Sequence, residues 1–265
     1  MPQRNIRLCI AYDGTCYKGW QRQRNGPSIQ EALEEQLAVI TRSEVVVNGA
    51  GRTDAGVHAQ GMVAHFSTGV TMPAPAFAKA LNSMLAKDIR ILGAEEVALD
   101  FHARFSAKGK TYRYDFFTGP LQLPAERLYR THLSCCFQPD LVQASLEHLV
   151  GTHDFSSFEA VGTRDRTRTE GRGAVRTLFQ AECLADPARQ GNFSLRFSGD
   201  GFLRHMVRNL AGTLIWVGTG RLSTEQFRTI LAAKDRTKAG PTAPACGLFL
   251  EQVHYEEIAG EGGAL

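Results

Sequence analysis

The sequence lacks the long apolar runs and the cysteine spacings that mark membrane-spanning or secreted proteins. None of its 265 residues falls in a run of 18 uncharged apolar residues, the length that a membrane-spanning helix needs. The N-terminal stretch has no apolar signal-peptide core. The six cysteines show no CxxC spacing, and Cys135 and Cys136 are adjacent, which is poor geometry for a bridge to each other. We therefore expect a cytoplasmic protein with reduced thiols, no disulfide and no membrane segment.

Metal-binding patterns are also lacking. The eight histidines are scattered along the chain, without an HxH or HExxH arrangement. No cluster of carboxylates accompanies a candidate site, which argues against a metal-dependent nuclease. We therefore expect no bound metal.

Lysine is scarce beside arginine, which supplies 23 of the 30 basic residues. The net charge of +3 is too small to indicate a nucleic-acid partner by itself. Arginine, however, is the better residue for bidentate phosphate contacts and for stacking on bases. Five arginines crowd one polar segment, which is either a solvated loop or a loop that follows a phosphate backbone. They are Arg164, Arg166, Arg168, Arg172 and Arg176.

The first part of the chain has the element order β-α-β-β-α-β. Apolar residues alternate from Ile6 to Tyr12 and predict a strand, and Ser28 with Glu31 is a capping-box pattern that begins a helix. Further strands are predicted at 45–47, 62–66 and 89–92, and a second helix opens near Pro73. This order is that of a ferredoxin-like unit.

A second round of the same order follows. Strands are predicted at 111–117, 175–184, 193–197 and 248–255, with helices opening at Pro139 and spanning 202–217. An additional helix is introduced by Ser223. The sequence thus predicts an α+β fold of two ferredoxin-like halves, residues 1–104 and 105–265, with antiparallel sheets.

A glycine-rich loop, residues 49–58, is predicted between two strands of the first half. It is too short for a helix, and its three glycines permit backbone conformations closed to other residues. Arg52 and Asp54 stand two residues apart in it. From composition alone, a turn stapled by an Asx hydrogen bond is the favoured interpretation of Asp54. The complete string GRTDAGVHA is a more specific signal than the spacing of Arg52 and Asp54.

GRTDAGVHA, residues 51–59, resembles the signature of the TruA family of tRNA pseudouridine synthases. Further blocks similar to the family's motifs follow along nearly the whole chain in the family's order. These are 12–14 with 19–23, 101–107 with 112–114, 153–155 with Phe158, 202–209, and 232–236 with 243–248.

The resemblance implies a fold, a reaction and a substrate. The two sheets would join into one extended sheet with helices on one side and an active-site cleft between the halves. The enzyme would detach a uracil from its ribose, rotate it and rejoin it through C5, without cofactor or metal. The substrate would be tRNA, at positions 38, 39 and 40 of the anticodon stem-loop, and the enzyme would be a homodimer.

The resemblance also implies roles for five residues. Asp54 matches the family's catalytic aspartate, and Arg52 the arginine that turns the target nucleotide out of the stem. Tyr112 matches the tyrosine that stacks on the uracil, although a core role like that expected for Tyr114 is the alternative. Arg208 matches the arginine that pairs with the aspartate, and we expect it to share a helical face with Arg204. Leu248 matches a pocket residue, and a core role is the alternative.

Contacts to the tRNA backbone are expected from Arg22, Arg164, Arg166, Arg168 and Arg204. The arginine-rich segment is longer than the family pattern, so we predict that it grips the backbone outside the active site. Two other functions remain open. A catalytically inactive tRNA-binding paralogue would keep the same blocks, whereas a non-catalytic RNA-binding module would need an RNP-like aromatic string, which the sequence lacks.

Overall fold

The computed structural model describes residues 2–162 and 171–256. Arg164, Arg166 and Arg168 lie outside these described residues. The described chain divides into two compact units, one of residues 2–108 with 249–256 and one of residues 109–162 with 171–248. Both units combine helices with a β-sheet, so the predicted α+β class is confirmed.

The first unit is built on the strands β1 (Arg4–Tyr12), β2 (Asn48–Gly49), β3 (His58–Thr68), β4 (Ile89–Val97) and β10 (Leu248–His254). The order across its sheet is β4-β1-β3-β10, and β2 pairs with β3. The pairs are antiparallel except for β3 with β10, which run parallel with Phe249 opposite His58. β10 therefore packs in the first unit from Phe249 onward, although it is the last strand of the chain.

The core of this unit follows from the alternation that predicted β1. Ile6, Leu8 and Ile10 are fully buried, since side chains two residues apart point to one face of the sheet. The helices α1 (Ile29–Thr41) and α2 (Ala74–Met84) contribute the apolar side chains Leu33, Leu37, Phe77 and Leu81 to the buried core. Ser28 caps α1, because its side chain accepts the Glu31 N–H at 3.3 Å.

The second unit contains the strands β5 (Gly109–Thr118), β6 (Thr131–Leu133), β7 (Gly151–Asp154), β8 (Val175–Ala185) and β9 (Asn192–Gly199). Its sheet has the order β5-β9-β8-β7, with β6 parallel to β5. Three helices accompany it: α3 (Pro139–Glu147), α4 (Met206–Gly218) and α5 (Thr224–Ala233). Ser223 introduces α5, as the sequence predicted, and it forms a reciprocal capping box with Gln226.

Three local predictions are wrong. Residues 45–47 are not a strand, and the pairing with β3 falls instead on Asn48–Gly49. Helix α4 begins at Met206 rather than at Phe202 because His205 has a left-handed backbone that ends the loop before it. Arg204 therefore precedes the helix and cannot share a helical face with Arg208. The sequence also missed the short strands β6 and β7.

Helices in the described ranges are all too short or too polar to cross a membrane.

Candidate functional site

The loop between β2 and β3 carries Arg52 and Asp54. Arg52 is exposed and Asp54 is half-buried, so both side chains are at least partly open to solvent. Thr53 between them is buried and only 8% exposed. The loop therefore presents two charged side chains from a backbone that is anchored in the unit, and the Asp54 carbonyl accepts the Val57 N–H at 3.2 Å.

Three residues of the N-terminal segment hold this loop. The Tyr12 hydroxyl shares a 2.9 Å hydrogen bond with the Thr53 hydroxyl, and the Trp20 N–H donates to the Thr53 carbonyl at 3.1 Å. On the far side of Asp54, the Gly56 N–H donates to the Tyr17 carbonyl at 3.3 Å. Hydrogen bonds thus flank Asp54 on both sides, which restricts where its carboxylate can lie.

Close backbone approach explains why residue 19, in the segment that precedes α1, is a glycine. Gly19 has φ +96°, and a Cβ atom there would lie 2.4 Å from the Thr53 carbonyl oxygen. Only glycine combines this left-handed backbone with so short an approach. The N-terminal segment and the Asp54 loop are therefore fitted to each other at the level of the backbone.

His58 begins β3 immediately after the loop. It is buried, its Nδ1 accepts the Gly14 N–H at 3.1 Å, and its ring stacks on Phe249 with 4.7 Å between centroids. The histidine thus joins the end of the loop to the N-terminal segment and to β10.

In the second unit, Tyr112 and Tyr114 lie two residues apart on β5. Tyr114 is fully buried and its hydroxyl contacts Thr131 at 2.6 Å, so its predicted core role is confirmed. Burial raises the pKa of Tyr114, with the charge of Arg208 acting in the opposite direction. Tyr112 is 8% exposed and meets Phe202 edge to face at 4.9 Å between ring centroids.

Arg208 lies in the first turn of α4 and is half-buried. Its Nε donates to the Ala243 carbonyl at 2.7 Å, while the Ala243 N–H donates to the Arg208 carbonyl at 3.0 Å. The side chain is thereby tied to the segment that leads to Leu248, the buried first residue of β10.

Two of the predicted backbone-binding arginines are described. Arg204 is exposed just before α4. Arg22 is also exposed, and it lies 3.3 Å from Glu31 and 3.5 Å from Glu34. These carboxylates of α1 partly neutralise Arg22, which leaves it less suited to a phosphate than Arg204.

The residues that hold the loop were not among the predicted site residues. Tyr12, Tyr17 and Trp20 nevertheless stand within or beside the N-terminal block 12–14 with 19–23 that carried the family resemblance. That block was the signal in the sequence that could have identified them. Their contacts to Thr53 and Gly56 could not be predicted from it, because these contacts join positions distant in sequence. For metals, no group of three or more His, Cys, Asp or Glu side chains able to hold an ion occurs within 2–162 and 171–256.

Comparisons with known proteins agree on one family. A family model described as tRNA pseudouridine synthase matches residues 8–106 and 146–256. A tRNA pseudouridine synthase A 1 of Desulfotalea psychrophila is 50% identical over 252 residues, which are 95% of this chain and 100% of that protein. The synthases A of Ruminiclostridium cellulolyticum and a Thermoanaerobacter species are 43% and 40% identical, each with 95% of this chain and 100% of the relative covered.

Proposed function

This chain belongs to the tRNA pseudouridine synthase family, and on that premise we propose that Asp54 is the catalytic carboxylate with which it isomerises uridine to pseudouridine in tRNA. The observation that carries the proposal is the anchoring of the Asp54 loop. Thr53 is held by Tyr12 and Trp20, and Gly56 by Tyr17, while the Asp54 side chain is only half-buried. A carboxylate on a fixed but accessible loop is what a reaction at a bound nucleotide requires.

The reaction breaks the bond between C1′ of the ribose and N1 of uracil and forms one between C1′ and C5. The proton on C5 is lost to solvent and N1 gains one, so the product is an isomer. Asp54 would serve as an ionised group beside the glycosidic bond. The reaction needs no redox step, and we propose that it proceeds without a cofactor.

Four further residues take roles by resemblance. Arg52, exposed on the same loop, would stabilise the extruded nucleotide, since a base must leave the helix before it can be isomerised. Tyr112 would stack on the uracil, an interaction worth about 1–3 kcal/mol per base. Arg208 would pair with the carboxylate, and Leu248 would line the base pocket.

The substrate would be the anticodon stem-loop at positions 38, 39 and 40, bound by a cytoplasmic homodimer. Backbone contacts would come from Arg22 and Arg204 and from Arg164, Arg166 and Arg168, which lie outside the described residues. Arginine is suited to this task because its planar fork matches a phosphate.

The proposal is tested with tRNA transcripts that carry tritium at uracil C5. Wild-type protein should release the label from an anticodon stem-loop. Asp54→Asn should abolish release while leaving tRNA affinity within about threefold of wild type, since the substitution removes one charge and keeps the side-chain shape. Asp100→Asn is the matched control, because Asp100 is exposed in a turn of the same unit and should keep full activity.

Two outcomes would contradict the proposal. If wild-type protein binds tRNA but releases no label from any uridine, the chain is an inactive tRNA-binding paralogue. If Asp54→Asn lowers the unfolding temperature and Asp100→Asn does not, Asp54 is a structural staple of its loop rather than the reacting group.

A further inference from the structure

A cavity of about 590 Å³ lies within the second unit, beside the start of α4. It is lined by Arg204, His205, Asn209, Arg236 and Thr242, among others, and no acidic residue of 2–162 and 171–256 lines it. Its volume is that of an ordinary ligand pocket. Arg208 and Leu248, for which the family implies roles at the base, are not among its lining residues.

Arg236 is fixed in the wall of this cavity by neutral partners. One of its terminal nitrogens donates to Asn209 Oδ1 at 3.0 Å and to Thr242 Oγ1 at 3.1 Å, and the other to the Ala239 carbonyl at 3.3 Å. Asn209 is fully buried, and its Nδ2 is occupied by the Phe158 carbonyl at 2.7 Å. The guanidinium is therefore held in one orientation by groups that do not neutralise it.

An external anion can bind Arg236, because no carboxylate of the described residues neutralises its charge. A guanidinium has five N–H donors, of which these hydrogen bonds use three. Within 2–162 and 171–256 no carboxylate pairs with it. Arg236 is half-buried, so water solvates its charge incompletely, and this burial lowers the pKa of the guanidinium. An oriented, incompletely solvated arginine is suited to a bidentate contact with phosphate.

His205 and Arg204 stand beside it. The structure has three non-glycine residues with positive φ in its described part, and two of them, Arg42 and Lys234, are C-caps of helices, where this conformation is common. His205, with φ 61°, instead precedes a helix. Strained residues of this kind concentrate at binding sites. Arg204, exposed one position earlier, brings a second guanidinium to the cavity.

We propose that this cavity binds a backbone phosphodiester of the tRNA, gripped by Arg236 and Arg204. The inference rests on the proposed function, because it takes tRNA as the substrate. It adds to the residues proposed at the reacting base a backbone contact that would fix the register of the tRNA on the second unit, since phosphate contacts position a nucleic acid and carry no sequence information.

The test is tRNA affinity as a function of salt concentration for the full chain. Arg236→Gln and Arg204→Gln should each weaken binding and make the slope of log affinity against log salt shallower by about 0.7–0.9, the change expected when the protein neutralises one phosphate fewer. Arg236→Lys should retain most of the slope because it retains the charge. Arg228→Gln is the control, since Arg228 is an exposed arginine of α5 already paired with Glu225 at 2.8 Å, and its slope should be that of wild type.

Arg204→Gln keeps the test valid if Arg236→Gln disturbs folding by releasing Asn209 and Thr242. Wild-type slopes for both glutamine variants, in a protein that converts uridine normally, would overturn the cavity assignment and the backbone contact of Arg204, while the proposed reaction at Asp54 would stand. A wild-type protein that neither binds nor converts tRNA would overturn the proposed function together with it. Inorganic phosphate serves as a separate arm at constant ionic strength. If it raises the unfolding temperature through Arg236 while the tRNA slopes do not change, the site belongs to a free phosphate and the tRNA assignment fails.

Discussion

Thr53 shows how the residues beside a reacting group can fix its position. Its hydroxyl meets the Tyr12 hydroxyl at 2.9 Å, and its carbonyl accepts from Trp20 at 3.1 Å. Both hydrogen bonds precede Asp54 by one residue, so any rotation of this peptide would move the carboxylate. Thr53 is thus a positioning residue in the proposed reaction rather than a group that touches the substrate.

We predict that Thr53→Val lowers kcat of pseudouridine formation by about tenfold or more with little change in KM, since misplacement of a reacting group by a fraction of an ångström is costly. Loss of one buried hydrogen bond should also cost about 1–2 kcal/mol of unfolding free energy. Tritium release and urea denaturation measure the two effects.

Thr152→Val, the same change at an exposed threonine, is the control for this prediction. Thr152 shares a 2.8 Å hydroxyl hydrogen bond with Thr177 in the second unit, so the same change there should leave kcat unaltered. Equal losses of kcat in the two variants would show that the effect of Thr53→Val does not depend on its place beside Asp54. Tyr12→Phe should reproduce the Thr53→Val effect, and the double variant should lose no more than the single ones.

At the scale of elements, α4 is the most extensively buried helix of the described residues. It is buried over nearly its whole length, and Gly212 lies where a Cβ atom would be 1.8 Å from the Pro241 carbonyl oxygen. The neighbouring segment is also joined to the helix by the Gly240 N–H, which donates to Thr213 Oγ1 at 3.0 Å. The glycine therefore sets the distance between α4 and the chain that walls the cavity.

We predict that Gly212→Ala destabilises the protein by about 1–3 kcal/mol, the usual cost of overpacking a filled site. Helix propensity alone predicts the opposite sign, a gain of about 1 kcal/mol. Urea denaturation decides between them. Gly93→Ala is the control, because a Cβ atom at Gly93 meets nothing within 4 Å and should not destabilise. A stabilised Gly212→Ala variant would show that the two segments separate easily.

The elements also show what local sequence could predict. The strand β1 and the helices α1, α2, α3 and α5 begin within two residues of where alternation, caps and prolines placed them, because these signals are read within one or two turns of chain. The start of α4 was predicted wrongly because the left-handed backbone conformation of His205 does not change the pattern of apolar residues. β2, β6 and β7 form strands because they pair with neighbouring strands, and their own composition does not predict a strand.

At the scale of the whole molecule, the pKa shifts of His65 and Cys183 predict the pH range in which the fold is most stable. Burial lowers the pKa of His65, and nearby His102 acts in the same direction. The unfolded chain therefore takes up a proton that folded His65 resists, and stability is lost as pH falls below about 6.5. Burial raises the pKa of Cys183 from 9.0 to about 11, so stability is lost as pH rises from 9 to 11.

We predict a maximum of unfolding free energy between pH 6.5 and 9. Cys183→Ala should make the alkaline limb shallower, because it removes a group that is deprotonated earlier in the unfolded chain than in the folded one. Cys135→Ala, the same change at an exposed thiol, should leave that limb as in wild type. Parallel alkaline limbs for wild type and Cys183→Ala in urea titrations would contradict the prediction.

The sequence by itself determined the α+β class, most of the helices and strands, and the family. These follow from local periodicity and from an ordered set of short motifs, of which GRTDAGVHA is the most specific. It also singled out Asp54, whose role remains a proposal, because the motif marks the residue without showing what surrounds it.

The tertiary structure alone decided which distant residues meet. It set Tyr12 against Thr53, placed β10 parallel to β3, and brought Asn209 into hydrogen-bond contact with Arg236. Such pairs are separated by many residues, and their formation depends on how whole elements pack. No pattern within a few turns of chain can specify them, because the free energy that selects them comes from burial and hydrogen bonding across the folded unit.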